Sequence, residues 1–175
     1  MIETPRLLLR QWRPEDLAPF AALNGDRDVM RFFPATLTRE ESDNLAARFH
    51  EGIAERGWGF WAVELTATGE LVGSLGLHPQ PDRFAFSPCT EIGWRLAKPF
   101  WHQGLAFEAA TAALEYGFKT LGLSEVVSFT SVLNAPSEKL MKRLGMSKEG
   151  EFLHPAIASD HRLAEHLLYR IARQV

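Results

Sequence analysis

Most of the residues whose types and spacing could do chemistry lie between Glu91 and Gly145. The centre of this stretch is Trp101-His-Gln-Gly-Leu-Ala106-Phe-Glu-Ala109, expected to be a loop that leaves a strand and feeds straight into a long helix. Gly104 lets backbone approach a ligand closely, and small Ala106 leaves the first helical turn uncrowded. The unpaired N–H groups of a helix start, together with its dipole, favour a phosphate or pyrophosphate. Taken alone, an ordinary helix start has the same look. Upstream, Gly93 interrupts an otherwise good strand, Thr90 to Ala97, which marks a bulge or a close ligand approach. A bulge would splay this strand from its neighbour and free backbone groups for an extended ligand. Glu91 lies on the same strand and, on two-residue alternation, faces away from Ile92 and Trp94. Downstream, Asn134 fits a helix N-cap and Ser137 fits the surface of that helix.

Other signals carry less. Gly57-Trp-Gly59-Phe-Trp-Ala62 matches a loose dinucleotide pattern but precedes strand-like residues instead of opening a helix. There is no P-loop motif. The six histidines show no metal-ligand spacing, so the sequence supports no metal site. The lone Cys89 has no disulfide partner within the chain and no evident His beside it, which fits a reducing compartment.

The elements that must position these groups follow from periodicity and caps. Arg6 to Trp12 reads as a strand, stopped by Pro14, and a helix follows through Leu17, Phe20, Ala21 and Asn24. Gly25 to Leu37 is loop-like. Thr38 and Glu41 form a capping box that opens a helix to about Arg56, expected to bury Leu45, Phe49 and Ile53. From Gly57 the period becomes two: Trp58–Leu65 and Glu70–Leu77 read as strands joined at Thr68-Gly69, and Thr90–Ala97 as a third. A helix from Gly104 to about Leu121 follows, then a β-branched strand over Ser124–Leu133. A short helix over Asn134–Leu144 ends at Gly145. Strands over Ser147–Phe152 and Leu163–Ala172 close the chain. The order β-α-α-β-β-β-α-β-α-β-β implies an α+β domain with a mixed sheet, a single domain over residues 1–175. A net charge of −3 and a pI near 6.1 disfavour nucleic acid as the main partner. No apolar run is long enough for a membrane span, and the first residues lack the pattern of a signal peptide, so a cytoplasmic location is expected.

Taken in order, these segments resemble the GNAT superfamily of acetyl-CoA-dependent N-acetyltransferases. Trp101-His-Gln-Gly-Leu-Ala106 is similar to its pyrophosphate loop. Asn134-x-x-Ser137, with Leu140, Leu144-Gly145-Met146, is similar to its following helix. Glu3-Thr-Pro-Arg-Leu-Leu-Leu-Arg10, Glu91-Ile-Gly-Trp94 and Gly104-Leu-Ala-Phe-Glu-Ala109 resemble the branch that contains the ribosomal-protein N-terminal acetyltransferases.

The resemblance implies a mostly antiparallel central sheet of about seven strands splayed by a bulge, with about four flanking helices. It implies direct transfer of an acetyl group from acetyl-CoA to a primary amine, without a metal and without an acyl-enzyme. The loop residues His102, Gln103, Gly104, Leu105, Ala106 and Phe107 would hold the pyrophosphate, through N–H groups from Gln103 to Phe107. Backbone around Arg95 and Leu96 would pair with pantetheine, which Asn134 would also bind in competition with its capping role. Lys139 and Arg143 read as solvated helix charges or phosphate contacts.

Glu91 would take the amine proton, against the alternative of a structural strand carboxylate. Two positions depart from the family pattern. Trp101 replaces the usual Arg or Gln, and Met141 stands where many members place a tyrosine acid. A thioether cannot donate a proton, which leaves Ser137 or bulk water to protonate the departing thiolate.

The acceptor side would be lined by Met30–Thr36, Pro79–Pro88 and His154–His161. An α-amine with a pKa near ~7.8 is far more often neutral at pH 7 than a lysine near ~10.4, which favours a peptide N-terminus or a small α-amine over a lysine side chain; of these a protein or peptide N-terminus is the leading acceptor. A small amine such as a polyamine, antibiotic or amino-acid derivative is the alternative acceptor, and a non-catalytic acyl-CoA-binding module the alternative role. An exposed apolar strand or the Trp58–Trp61 cluster could support a homodimer.

Overall fold

A computed structural model describes residues 1–175 and shows eight strands and four α-helices in one sheet-centred layer arrangement. β1 (Ile2–Glu3) and β2 (Leu7–Arg10) precede α1 (Leu17–Asn24) and α2 (Arg39–Arg56). β3 (Phe60–Leu65), β4 (Leu71–Gln80) and β5 (Cys89–Leu96) then lead to α3 (Leu105–Lys119). β6 (Glu125–Ser131), α4 (Ala135–Arg143), β7 (Ser147–Leu153) and β8 (Glu165–Ala172) complete the chain. The sheet order is β1-β2-β3-β4-β5-β6-β8-β7, antiparallel except where β5 meets β6.

The sheet has one strand more than the periodicity predicts. β1 pairs only Ile2 with Leu9 and Glu3 with Leu8, too short to show any alternation. β4 also runs past the expected Leu77, through Pro79. The hydrogen bond from Ala97 N–H to Val72 C=O sets the phase of the β4–β5 ladder, in which Pro79 pairs with Thr90 at a non-hydrogen-bonded position. The missing proline N–H therefore costs no ladder bond there, and β3 has already ended.

The capping box of α2 is present: Thr38 Oγ1 accepts from Glu41 N–H at 3.1 Å, and Glu41 accepts from Thr38 N–H at 2.9 Å. Of its expected core residues, Ile53 is buried, while Leu45 and Phe49 are only partly so; Ala46, one position on from Leu45, sits deeper. α3 packs on one face of the sheet, where the Trp61 ring meets Tyr116 edge-on at 5.4 Å. α1 and α2 cover the other face, where Phe60 meets Phe49 at 5.1 Å. β3 and β4 lie so close at Gly76 that a Cβ would stand 2.0 Å from the Gly59 carbonyl oxygen. Only glycine fits such an approach.

The expected splay lies between β5 and β6, which share a single pair, Glu91 with Val127. It arises without a register shift at Gly93, since the β4–β5 ladder runs unbroken from Gly73–Leu96 to Gln80–Cys89. The irregular steps fall instead at Val63/Glu64 and Lys148/Gly150. Gly93 is needed for packing, because a Cβ there would press to 3.2 Å on the Phe60 ring. No helix is long and apolar enough to cross a membrane.

Candidate active site

The gap between β5 and β6 is the feature around which the candidate residues collect. Ser128 Oγ donates to the Ile92 carbonyl across 2.9 Å, the last tie between the two strands before they part. Since Ile92 faces β6 and Ala97 faces β4, alternation turns the N–H and C=O groups of Trp94 and Leu96 towards the gap. Arg95 lies between them, with its backbone in the β4 ladder opposite Ser74. The edge facing the gap is thus Trp94 and Leu96, a half-step from the expected Arg95 and Leu96. The Leu96 carbonyl is already engaged by Trp101 Nε1–H at 2.9 Å. Trp101 therefore ties the following loop to the strand edge, a role unlike that of the Arg or Gln it replaces.

The loop then turns through two left-handed residues, His102 with φ 60° and Gly104 with φ 75°. A non-glycine residue in that region costs about 1–2 kcal/mol, so His102 marks a backbone held by its surroundings. None of the N–H groups from His102 to Phe107 donates to a backbone carbonyl; the first helical bond runs from Glu108 N–H to Gly104 C=O. Successive unpaired amides beside left-handed residues and at a helix N-terminus make a concave anion site. Arg143 lies over the Phe107 ring, with its guanidinium carbon 4.0 Å from the centroid, and so brings a cation to the start of α3. Lys139 is exposed.

An unforeseen clasp holds this loop in place. Arg6 Nη1 donates to the Gln103 carbonyl at 2.9 Å and Arg6 Nε to Glu108 Oε1 at 2.8 Å. Thr4 Oγ1 and Arg6 N–H both donate to Glu108 Oε2, at 2.6 and 3.0 Å. Burial pushes the Glu108 carboxyl up, but the hydrogen bonds from Thr4 and Arg6 outweigh it and hold the group below its ordinary range. The residues that resemble a family signature, Thr4, Arg6 and Glu108, thus share one bonded cluster spanning 104 positions.

Glu91 sits on the α1/α2 face of β5, beside its ladder partner His78. Gln80 Nε2 donates to Glu91 Oε1 at 3.1 Å. Burial pushes the Glu91 carboxyl up to about 7, against the weaker opposing pull of the Gln80 hydrogen bond and of Arg83. A carboxyl with that pKa can both take and release a proton at neutral pH.

Ser137 lies on α4, across the sheet from Glu91. Its Oγ accepts from Trp94 Nε1–H at 3.2 Å, so the serine proton remains available for donation. Nothing local in the sequence gives Trp94 a role or shows its indole reaching α4. Asn134 caps that helix: its Oδ1 accepts from Ser137 N–H at 3.2 Å and its Nδ2 donates to Thr130 Oγ1 at 3.0 Å. The capping role of Asn134 is therefore occupied, and a pantetheine contact would have to use its remaining amide proton. Met141 is buried in the core. Tyr169, whose phenol donates to Glu138 at 2.6 Å, is pushed up to about 12 by burial and by that carboxylate, so it is a poor acid.

The three segments expected on the acceptor side do converge on the Glu91 face, where aromatic packing accounts for much of their content. Phe33 stacks on Arg95 at 4.3 Å. Phe84 stacks on Phe86 at 4.9 Å and meets His154 at 5.5 Å. Burial, with His166 and Arg83 nearby, drops His154 to about 4, so it is neutral at pH 7. Asp160 and His161 are exposed. A recess of about 730 Å3 beside Arg10, Asp16, Glu64 and Lys98 shares none of the site residues named above.

A splayed β5–β6 edge, an amide-lined loop and a carboxyl titrating near neutrality make up a candidate acyl-transfer site on a mixed sheet. Comparison with known proteins agrees. Residues 6–147 match the acetyltransferase (GNAT) domain family. The chain is 31% identical over 152 residues to the Bacillus subtilis uncharacterized N-acetyltransferase YnaD, covering 86% of this chain and 85% of that protein. It is 27% identical over 149 residues to the spermidine N(1)-acetyltransferase of Escherichia coli K12, covering 83% and 75%. A GNAT-family acetyltransferase structure from Bacillus anthracis superposes with a TM-score of 0.82 at 28% identity, over 98% of this chain and 97% of that one. This chain belongs to the GNAT acetyltransferase family, and it is an N-acetyltransferase.

Proposed function

We propose that this chain transfers the acetyl group of acetyl-CoA to the α-amine at a protein or peptide N-terminus. The observation that carries the reading is the pairing of the unpaired amide run, His102 to Phe107, with Glu91 on the same splayed strand system. The site fits the cosubstrate in three places. The amide run and Arg143 suit a pyrophosphate, the Trp94–Leu96 edge suits an extended amide chain, and the gap leads between Glu91 and Ser137.

Bound there, acetyl-CoA supplies a thioester whose carbonyl carbon a neutral amine attacks, the C–N bond forming as C–S breaks. Glu91 removes a proton from the incoming ammonium on the α1/α2 face and passes it to solvent, then takes the nitrogen's second proton as the amide forms. Ser137, oriented by Trp94, gives its proton to the departing sulfur and regains one from solvent. Desolvation makes Glu91 basic enough for an α-amine near ~7.8 but leaves it more than three units short of a lysine near ~10.4.

The likeness of Thr4, Arg6 and Glu108 to the ribosomal-protein branch supports a protein N-terminus. The relationship to a spermidine acetyltransferase supports a second reading, acetylation of a small amine. Calorimetry with acetyl-CoA, using Gly104→Asp as control, tests the cosubstrate site. Micromolar binding that the variant loses is expected, and no binding at millimolar acetyl-CoA overturns the reading. Ala- and Ser-starting peptides assayed beside spermidine and other small amines separate the two acceptors, and activity confined to small amines refutes the N-terminal one.

A further inference from the structure

Arg95 is half-buried, and its guanidinium has no acidic partner. Its side chain leaves β5 on the Glu91 face, from a position flanked by the two residues that edge the gap. Nη1 donates to Asn24 Oδ1 at 2.8 Å, and Asn24 is itself fixed by its Nδ2 bond to Ser42 Oγ at 3.0 Å. Both Asn24 and Ser42 are fully buried, so the guanidinium is held in orientation by a rigid neutral chain. The Phe33 ring covers one face of it at 4.3 Å. Nε is buried with no hydrogen-bond partner, and Nη2 makes no hydrogen bond either.

Those two nitrogens form the side-on edge of a guanidinium, the pair of parallel donors that matches a carboxylate. A buried cation is ordinarily paired, and one left unpaired is costly. Here the nearby acids of the α1–α2 loop are already committed: Asp28 binds Lys98 at 2.5 Å, and Asp26 accepts N–H bonds from Asp28 and Val29. Burial is the sole influence on Arg95, lowering it only to about 10, so the charge persists at neutral pH without an internal counterion. Two further cations stand around this face beside Glu91. Arg56 and Arg83 both depress His78, and Arg83 acts on Glu91 and His154 as well. Away from Glu91, these cations disfavour a polyamine and favour an anion.

We propose that the acceptor amine carries an ionised carboxylate, on the same small molecule or within the first three residues of a peptide, and that this carboxylate docks on the Nε–Nη2 edge of Arg95. The inference rests on the acetyltransferase reading and adds the substrate class to it. Glu91 and Arg95 stand four residues apart on one strand face, about 13 Å between Cα atoms, so both belong to the acceptor side. Phe33, 38% exposed, stacks on the face of the guanidinium and not along this edge.

The test uses matched acceptors that differ only in charge. These are Ala- and Ser-starting tetrapeptides with Asp or Glu against Asn or Gln at positions two and three, and free amino acids against their primary amides. Spermidine serves as the cationic comparator. Initial rates with acetyl-CoA are expected to favour the acid of a pair at least tenfold in kcat/KM, carried by KM. In Arg95→Gln that ratio falls to near one, and in Arg95→Lys, which keeps the charge but loses the fork, to an intermediate value. Equal rates for acid and amide, a preference for spermidine, or an acid preference that survives Arg95→Gln overturns the proposal.

Binding of the acetylated products, acid and amide forms, to the CoA complex is measured by calorimetry alongside. Tighter binding of the acids is expected, and equal or absent binding of both overturns the proposal as well. Failure of the acetyltransferase reading looks different: no acetyl-CoA binding and no transfer to any acceptor.

Discussion

Replacing Glu91 by Gln isolates the consequence of its burial. Burial raises the carboxyl from its ordinary 4.5 to about 7, equivalent to about 3 kcal/mol. Between those two values the folded chain keeps a proton that the unfolded chain releases. Stability therefore falls as pH rises from about 4.5 to about 7 and is lower by that amount above it. A neutral amide in the same place has no such penalty, so urea unfolding of Glu91→Gln is expected to match the wild type near pH 4 and to exceed it by up to about 3 kcal/mol at pH 8.

Activity is expected to move the opposite way, since the ionised carboxyl is the proposed base. The kcat profile of the wild type should rise with unit slope to a bend near 7, and the variant should lose that bend together with about 10²-fold to 10⁴-fold of rate. An α-amine titrating near ~7.8 bends the kcat/KM profile of both proteins, which separates the acceptor from the base. A Glu91→Gln rate unchanged across pH 6–9 would remove Glu91 from the mechanism. Loss of activity without the stability gain would show that the carboxyl is not buried as described.

Glu108→Ala removes the acceptor of three donors, one from Thr4 and two from Arg6, and the melting curve should show a loss of about 2 kcal/mol with a five- to tenfold rise in the KM for acetyl-CoA and little change in kcat. Ser137→Ala should lower kcat at least tenfold with acetyl-CoA binding preserved by calorimetry; an unchanged kcat assigns the thiolate proton to water. Asp16→Ala removes the bidentate partner of Arg10, contacted at 2.8 and 2.9 Å in a buried pair, and should cost about 3 kcal/mol in denaturant titration, since only Glu64 and the Gln11 carbonyl remain to it. Cys89→Ala should leave turnover intact in the same assay, because the thiol is raised by burial and by Glu91 and makes no part of the transfer.

Much of the site is readable in the sequence because the signals are local. The Thr38–Glu41 box, the αL glycines at helix ends and the alternation of β3, β4 and β5 each involve residues a few positions apart. The helix start at Gly104 follows in the same way, whereas the splay of β5 arises without the bulge that Gly93 suggests. Where sequence and structure part, a distant partner decides. Gly93 suggests a bulge, yet its lack of a side chain is used by the Phe60 ring 33 positions earlier. Leu45 fits the apolar stripe of α2, but the packing of that helix on β3 turns Ala46 inward instead. Thr4 and Arg6 match a family signature without revealing that Glu108 is their target.

By itself the sequence determined the order and type of nearly every element, the mixed sheet, and the segment that holds most of the candidate site. Periodicity, caps and glycine conformations are properties of neighbouring residues, and they survive without knowledge of the fold. Only the tertiary structure decided that Glu91 titrates near 7, that Trp94 reaches Ser137 across 43 positions, and that Arg95 lies half-buried with one edge unpaired. Each of those depends on which remote groups exclude water or supply a partner, and desolvation and long-range hydrogen bonding leave no local pattern to read.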